Sequence, residues 1–244
     1  MNTLLQDTRY GIRTLRKNPG FTLTAVAALA LGIGGTTAIF SVIDAVLLQP
    51  LPYPGAERIV GLGLSSPQGS GHSLAVPEFV AMEQATKTIE SFAAYDFGGP
   101  GINLTSDHPE QLQGIHVSAG YFRVFGAPMA LGRPFSADED RPHGPKVVVI
   151  SNGLWRSHFG GDPRLVGKTI PLGGEPYVVI GVLDRNFNPD PPADLCLPLQ
   201  ADANSTDQAH YLVGAALLRL GATPDQARAE LKLAAGQFEP LRAG

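Results

Sequence analysis

Hydrophobic positions run almost unbroken from Phe21 to Leu48, FTLTAVAALALGIGGTTAIFSVIDAVLL, and the first charge along the run is Asp44. A helix rises about 1.5 Å per residue, so roughly 20–25 apolar residues cross the ~30 Å hydrocarbon of a bilayer. Backbone amides in lipid must bond one another, and a continuous helix does so within itself. The pattern predicts one transmembrane helix over residues 21–48. A cleaved leader has a shorter apolar core, about 7–15 residues, and a small-residue exit. The following VIDAVLLQPLP offers no such exit, so the helix reads as an uncleaved anchor. A buried core helix would carry a polar edge, which this run lacks until its last turn.

After Leu48 the pattern shortens. QPLPYPG at residues 49–55 reads as an extended connector. Strands are expected over Arg58–Leu64, Ile89–Phe97, Leu112–Val117, Lys146–Ile150 and Tyr211–Leu220, with a hairpin turning at Gly173-Gly174. Short helices alternate with them. One starts near Pro77 with Phe79 and Met82 inward; one is capped by Ser118 and stopped by Gly126; one is capped by Ser151 and carries Leu154, Trp155 and Phe159. Leu131-Gly132-Arg133-Pro134 reads as a turn. Thr223-Pro224-Asp225-Gln226 has the form of a capping box, and Ala227, Leu231, Ala234 and Phe238 then share one helix face. The predicted fold is α+β: one N-terminal transmembrane helix followed by a mixed extracytoplasmic domain over residues 49–244.

Charge sets the orientation. Arg9, Arg13, Arg16 and Lys17 stand against Asp7 in the 1–20 leader, and the next basic residue is Arg58. Basic residues flanking a membrane helix stay in the cytoplasm, which places the N-terminus inside and everything past the helix outside. Leu4, Leu5, Ile12 and Leu15 alternate with the cations, so the leader can lie on anionic lipid or dock a cytoplasmic partner. Asn18-Pro19-Gly20 breaks it from the span. The leader's net +3 leaves −7 for residues 21–244, which argues against nucleic acid as a partner.

Small residues mark the span. Ala28 with Gly32, and Gly34 with Ala38, are each spaced i, i+4, a pattern that lets a second membrane helix approach. The alternative is that glycine is simply tolerated in membrane helices. Gly32, Gly34 and Gly35 are not a nucleotide loop, which must follow a strand in an aqueous domain.

No motif for catalysis or cofactor binding emerges. Gly167-Lys168-Thr169 resembles the end of a phosphate loop, but its spacing from Gly161 is one residue too long and a strand pair follows it. Lys168 is expected on the surface. Asp138, Glu139 and Asp140 are consecutive, without calcium-loop spacing, and are expected to be a solvated cluster at a helix start. The six histidines are scattered, and Ser151-Asn152-Gly153 is not a hydrolase elbow. The single cysteine, Cys196, excludes an internal disulfide and reads as a buried thiol.

The order of RYGIRTLRKNPGFT, ALALGIGGTTAIFSVIDAVLLQPLPYP, GIHVSAGYFRVFGAPMALGRPF, VVVISNGLWRSHFGGDPRLVGKTIPLGGEPYVVIGVL and ATPDQARAEL closely resembles MacB/FtsX-type ABC-transporter permeases, in particular the large duplicated branch. The resemblance implies a first membrane helix and a MacB-like periplasmic core, an α+β module of two lobes with one inserted in the other. It further implies a non-catalytic permease component of the bacterial inner membrane, without a nucleotide site or cofactor. Its implied partners are membrane lipid, a second copy and a separate cytoplasmic ATPase. Such permeases continue into three further membrane helices, so the chain is expected to be a fragment, a split gene or a truncated form. The alternative reading is a stand-alone membrane-anchored binding or sensor module.

Overall fold

The computed structural model describes residues 13, 15–43, 53–66, 69–71, 73–99, 101–105 and 109–235. Two compact units divide the chain, residues 1–52 and 53–244.

The first unit is built on α1 (Pro19–Ile43). Its stretch Pro19–Ser41 has a mean hydropathy of 1.8 and no buried residue, and is long and apolar enough to cross a bilayer. The helix starts two residues before the predicted position. Pro19 fits a first turn, where its missing N–H goes unneeded. Thr22 Oγ1 instead donates to the carbonyls of Leu15 and Asn18, at 2.8 and 3.0 Å. The predicted end of the span, from Asp44 to Leu48, lies outside the described residues.

From Tyr53 the second unit runs through β1 (Ile59–Leu62), a small hairpin of β2 (Leu64–Ser66) and β3 (Gly69–Gly71), β4 (Ser73–Leu74) and α2 (Val76–Ala85). Then come β5 (Ile89–Asp96), β6 (Ile102–Leu104), β7 (Glu110–Leu112), β8 (Gly114–Val117), α3 (Tyr121–Val124) and β9 (Met129–Gly132). The chain continues as β10 (Val147–Ile150), α4 (Asn152–Ser157), β11 (Thr169–Leu172), β12 (Glu175–Leu183), β13 (Leu195–Pro198), β14 (Leu212–Leu218) and α5 (Pro224–Ala235).

Twelve of these strands form one mixed sheet in the order β1-β14-β5-β8-β13-β10-β12-β11-β6-β7, with β4 on β14 and β9 on β12. Side chains alternate across a strand, and the burial follows. On β14 and β5, Ala215 and Ala93 face a central cluster with Tyr121, Phe122 and Phe125 of the α3 segment. Their neighbours Ala216, Leu218, Phe92 and Ala94 turn to the opposite face, against Phe79 and Met82 of α2 and Ala227 of α5. Farther along that opposite face, Val148, Ile150, Val179 and Val182 pack on Leu154 of α4.

One face therefore carries a shared core and the other carries two separate cores. These are the two lobes. The lobe holding α2 and α5 is made from chain on both sides of the other, so the second is inserted in the first. The α+β fold with one N-terminal apolar helix is as expected.

Local signals place much of this. Thr223 N–H donates to Gln226 Oε1 at 2.9 Å and Gln226 N–H returns to Thr223 Oγ1 at 3.3 Å, closing the capping box of α5. Gly173 and Gly174, at φ +60° and +84°, supply the two positive dihedrals of a tight hairpin between β11 and β12. Ala227 is buried as expected; Phe238 lies outside the described residues.

Other expectations fail for non-local reasons. Ser118 does not cap α3, whose N-cap is Gly120. Its hydroxyl instead accepts the Ala94 N–H at 3.0 Å, tying the turn to β5. The strand expected over Leu112–Val117 breaks at Gln113 into β7 and β8, because Gln113 N–H and C=O both go to Asp194 and Leu195. The turn expected at Leu131 begins as β9, which the long β12 recruits as a partner.

Candidate functional site

β10 and β12 lie parallel and both end, at Ile150 and Leu183, on one rim of the sheet. At that rim the 184–194 segment arches from β12 to β13 and leaves a cleft of about 600 Å3 against the start of α4. Ser151 stops β10 and starts α4: its N–H donates to Asp194 O at 2.8 Å and its Oγ accepts from Leu154 N–H at 3.1 Å. Asn152 Nδ2 donates to Leu183 O at 3.3 Å and Arg156 Nε donates to Asn152 Oδ1 at 2.9 Å, which fixes the amide. Asp194 Oδ2 accepts the Gln113 N–H at 3.1 Å on the far wall.

The arch is pinned at its foot, where Asp184 Oδ1 accepts from Asn186 N–H and Nδ2 at 2.9 and 2.8 Å. Phe187 and Pro189 are its buried members, and Arg185, Asn186, Asn188, Asp190 and Pro192 its exposed ones. The walls are thus largely apolar, with one fixed amide at Asn152, the Arg185 guanidinium and the Asp194 carboxylate.

Phe187 also belongs to an aromatic core. Tyr53, the first described residue of the domain, meets Phe125 at 5.0 Å between ring centroids and Phe187 at 6.3 Å. Tyr121 lies against Phe125 at 4.8 Å and edge-on to Tyr95 at 5.5 Å. Burial pushes the phenol pKa values of Tyr53, Tyr95 and Tyr121 up, and the charge of Asp190 in the arch adds to this for Tyr53 and Tyr95. These rings stay neutral and act by packing.

Of the three carboxylates expected to be solvated, Asp138 is exposed, while Glu139 and Asp140 are structural, a correction with a plain cause. Glu139 is 8% exposed and takes two hydrogen bonds from Arg133, at 2.8 and 2.7 Å, and two more from Ser136. Those bonds hold its pKa down at about 2, Arg133 contributing most. Asp140 accepts backbone N–H groups from Ala119 and Gln200 at 2.6 and 2.8 Å, though burial still leaves its pKa raised. They sit in a turn and not at a helix start. Among the described residues no cluster of metal-ligating side chains occurs.

A family model, the MacB-like periplasmic core domain, matches residues 22–234. The chain belongs to this family. The macrolide export ATP-binding/permease protein MacB of Hahella chejuensis is 25% identical over 186 residues, covering 72% of this chain and 26% of that protein. The chain spans no more than about a quarter of the length of the curated relatives it matches. Among solved structures, the periplasmic region of MacB from Actinobacillus actinomycetemcomitans superposes with a TM-score of 0.54 at 18% identity, over 69% of this chain and 75% of that one. The extracellular domain of the noncanonic ABC-type transporter YknZ from Gram-positive bacteria gives 0.53 at 16%, over 74% and 94%. At these identities the two structures share the fold.

Within this MacB-like core domain chain, the sequence-predicted residues fall as follows. Ala28, Gly32, Gly34 and Ala38 all lie exposed on α1. At about 100° per residue the Ala28–Gly32 pair and the Gly34–Ala38 pair point about 120° apart around the helix, so they form two separate faces and not one stripe. Arg13, Arg16 and Lys17 are exposed ahead of the helix, and Arg9 lies outside the described residues. Lys168 is on the surface, 3.4 Å from Asp162. Cys196 is buried, and burial pushes its thiol up to about 12. Sequence reasoning missed the cleft, whose walls come from three separated segments; of its lining only Ser151-Asn152-Gly153 was singled out, with Ser151 read as a cap.

Proposed function

We propose that the chain is a non-catalytic permease component of a MacB-type ABC transporter. In this reading α1 anchors it in the bacterial inner membrane, N-terminus in the cytoplasm, and the sheet domain carries conformational change between membrane and periplasm. ATP hydrolysis then belongs to a separate cytoplasmic ATPase. The observation that carries the reading is that the family match, residues 22–234, takes in both the apolar helix and the sheet domain. Tyr53, the first described residue of the sheet domain, is wedged in its aromatic core between Phe125 and Phe187. A displacement of the connector is therefore delivered to packed side chains and not to a loose loop, and close-packed cores transmit strain.

Dimerisation would use one helix face, Ala28 with Gly32, or the one about 120° round from it, Gly34 with Ala38, where backbones can approach. Nothing lies within 4 Å of a Cβ built on either glycine.

Topology and partnership test it together. Ser157 is exposed on α4 and Cys196 is buried, so a Ser157→Cys variant is labelled by a membrane-impermeant maleimide on intact spheroplasts while the parent is not. Labelling only after lysis overturns the orientation. Recovery of an ATPase with the chain from mild detergent supports the permease role; repeated failure to recover one makes the chain a stand-alone anchored binding module.

A further inference from the structure

The cleft beneath the 184–194 arch has the size of a small-molecule site, about 600 Å3 against the ~300–1,000 Å3 usual for such pockets. Its lining is chemically lopsided. Phe187 and Pro189 are buried in the arch and offer a ready apolar wall. Arg185 stands beside them: among the described residues of the sheet domain, it is the arginine with no carboxylate, amide or carbonyl in reach. Arg58, Arg123, Arg133, Arg141, Arg164 and Arg228 each pair with an acid. Arg156 donates to Asn152 and Arg219 to Lys87 O.

A guanidinium at the mouth of an apolar cleft matches a planar carboxylate, which it can grip with two parallel hydrogen bonds. No second cation lines the space, and the Asp194 carboxylate does, so a dianion such as phosphate is disfavoured. Asn152 is held by Leu183 O and Arg156, and Asp194 Oδ2 by the Gln113 N–H, which leaves the Gln113 and Asn188 side-chain amides as neutral groups beside the guanidinium.

We propose that this cleft binds a small organic monoanion with an apolar body, its carboxylate on Arg185 and its apolar part against Phe187 and Pro189. Occupancy there is the same whether or not the chain serves a permease, so failure of either reading leaves the other standing.

The test uses the full chain in lipid nanodiscs and radiolabelled 3-phenylpropanoate, by equilibrium dialysis against empty discs. Saturable binding, about one ligand per chain, is expected. Arg185→Gln should weaken it at least about tenfold, one lost charge-assisted pair. The neutral 3-phenylpropanamide and inorganic phosphate should each compete at least tenfold less well than unlabelled acid. Gly153→Phe, at a cleft position whose nearest neighbour to a new Cβ is Ser151 Oγ at 3.7 Å, should abolish binding. Native-state protection of Cys196 from alkylation confirms that each variant is folded. The absence of saturable binding overturns the proposal. So does equal binding by Arg185→Gln, equal competition by the amide or by phosphate, or undiminished binding in a folded Gly153→Phe chain.

Discussion

At the scale of single residues, charge placement is the informative feature. Arg133 and Glu139 form a two-pronged pair in which Arg133 is half exposed and Glu139 is nearly covered. Because the Glu139 pKa in the fold lies below its ordinary value near 4.5, at about 2, the pair's contribution is fully present above about pH 4.5 and is lost as the pH falls through 2. Glu139→Gln should therefore cost about 1–2 kcal/mol at neutral pH, after allowing for the solvent around Arg133, and almost nothing near pH 2. Urea midpoints of parent and variant at several pH values check this; a constant difference across that range contradicts it. None of this was legible locally. Three adjacent acids look alike until Arg133 folds onto Glu139 and the N–H groups of Ala119 and Gln200 onto Asp140, leaving Asp138 in solvent. Gly120 is similar: a Cβ there would sit 1.9 Å from Phe92 O, a contact between α3 and β5 that no pattern announces. Gly120→Ala should destabilise by roughly 1–3 kcal/mol or more, measured as a lowered Tm, because backbone and not a movable side chain is in the way.

At the scale of elements, what the sequence predicts well is what neighbours decide. The apolar run gave α1, Ser151 gave the start of α4, the paired glycines gave the β11–β12 hairpin, and Thr223 with Gln226 gave α5. Each rests on contacts within a few residues. What went unread was decided by partners far away: β14 closes on β5 and β1 across more than a hundred residues, and Asp194 splits the predicted 112–117 strand. The cleft belongs to this second group, being assembled where strand ends meet. A local element still offers a clean test. Ser151→Ala removes the cap from a helix of six residues and should cost about 0.5–2 kcal/mol. The chain's single tryptophan, Trp155, lies in that helix and donates to Asp162 O at 3.0 Å, so its fluorescence reports the loss directly. An unfolding curve superposable on the parent's would show that Asn152 and the Ser151 N–H bond to Asp194 suffice without the cap.

At the scale of the whole molecule, the sheet domain has a shared core on one face and two separate lobes on the other, and Tyr53 enters on the shared side. On the permease reading proposed above, Tyr53 is the residue through which motion of the membrane helix would reach the sheet domain. Pulling on a residue at a lobe's far edge would tilt one lobe. Tyr53 instead touches Phe125, which packs under α3, and Phe187, which belongs to the arch over the cleft. Tyr53→Ala should leave fold and topology intact, since one partly buried ring near the surface of a sixteen-residue buried cluster is lost. It should nevertheless decouple the units. With paired spin labels at Ser157 and an exposed position on α5 such as Arg228, the interlobe distance distribution of the parent should shift when the ATPase that the permease reading requires is cycled, and that of Tyr53→Ala should not. Tyr53→Phe keeps the ring and loses only the hydroxyl, so it should behave as the parent. A shift in Tyr53→Ala equal to the parent's would mean that motion enters the domain by a route other than this ring. A shift lost in Tyr53→Phe as well would locate the coupling in the hydroxyl and not in the packing.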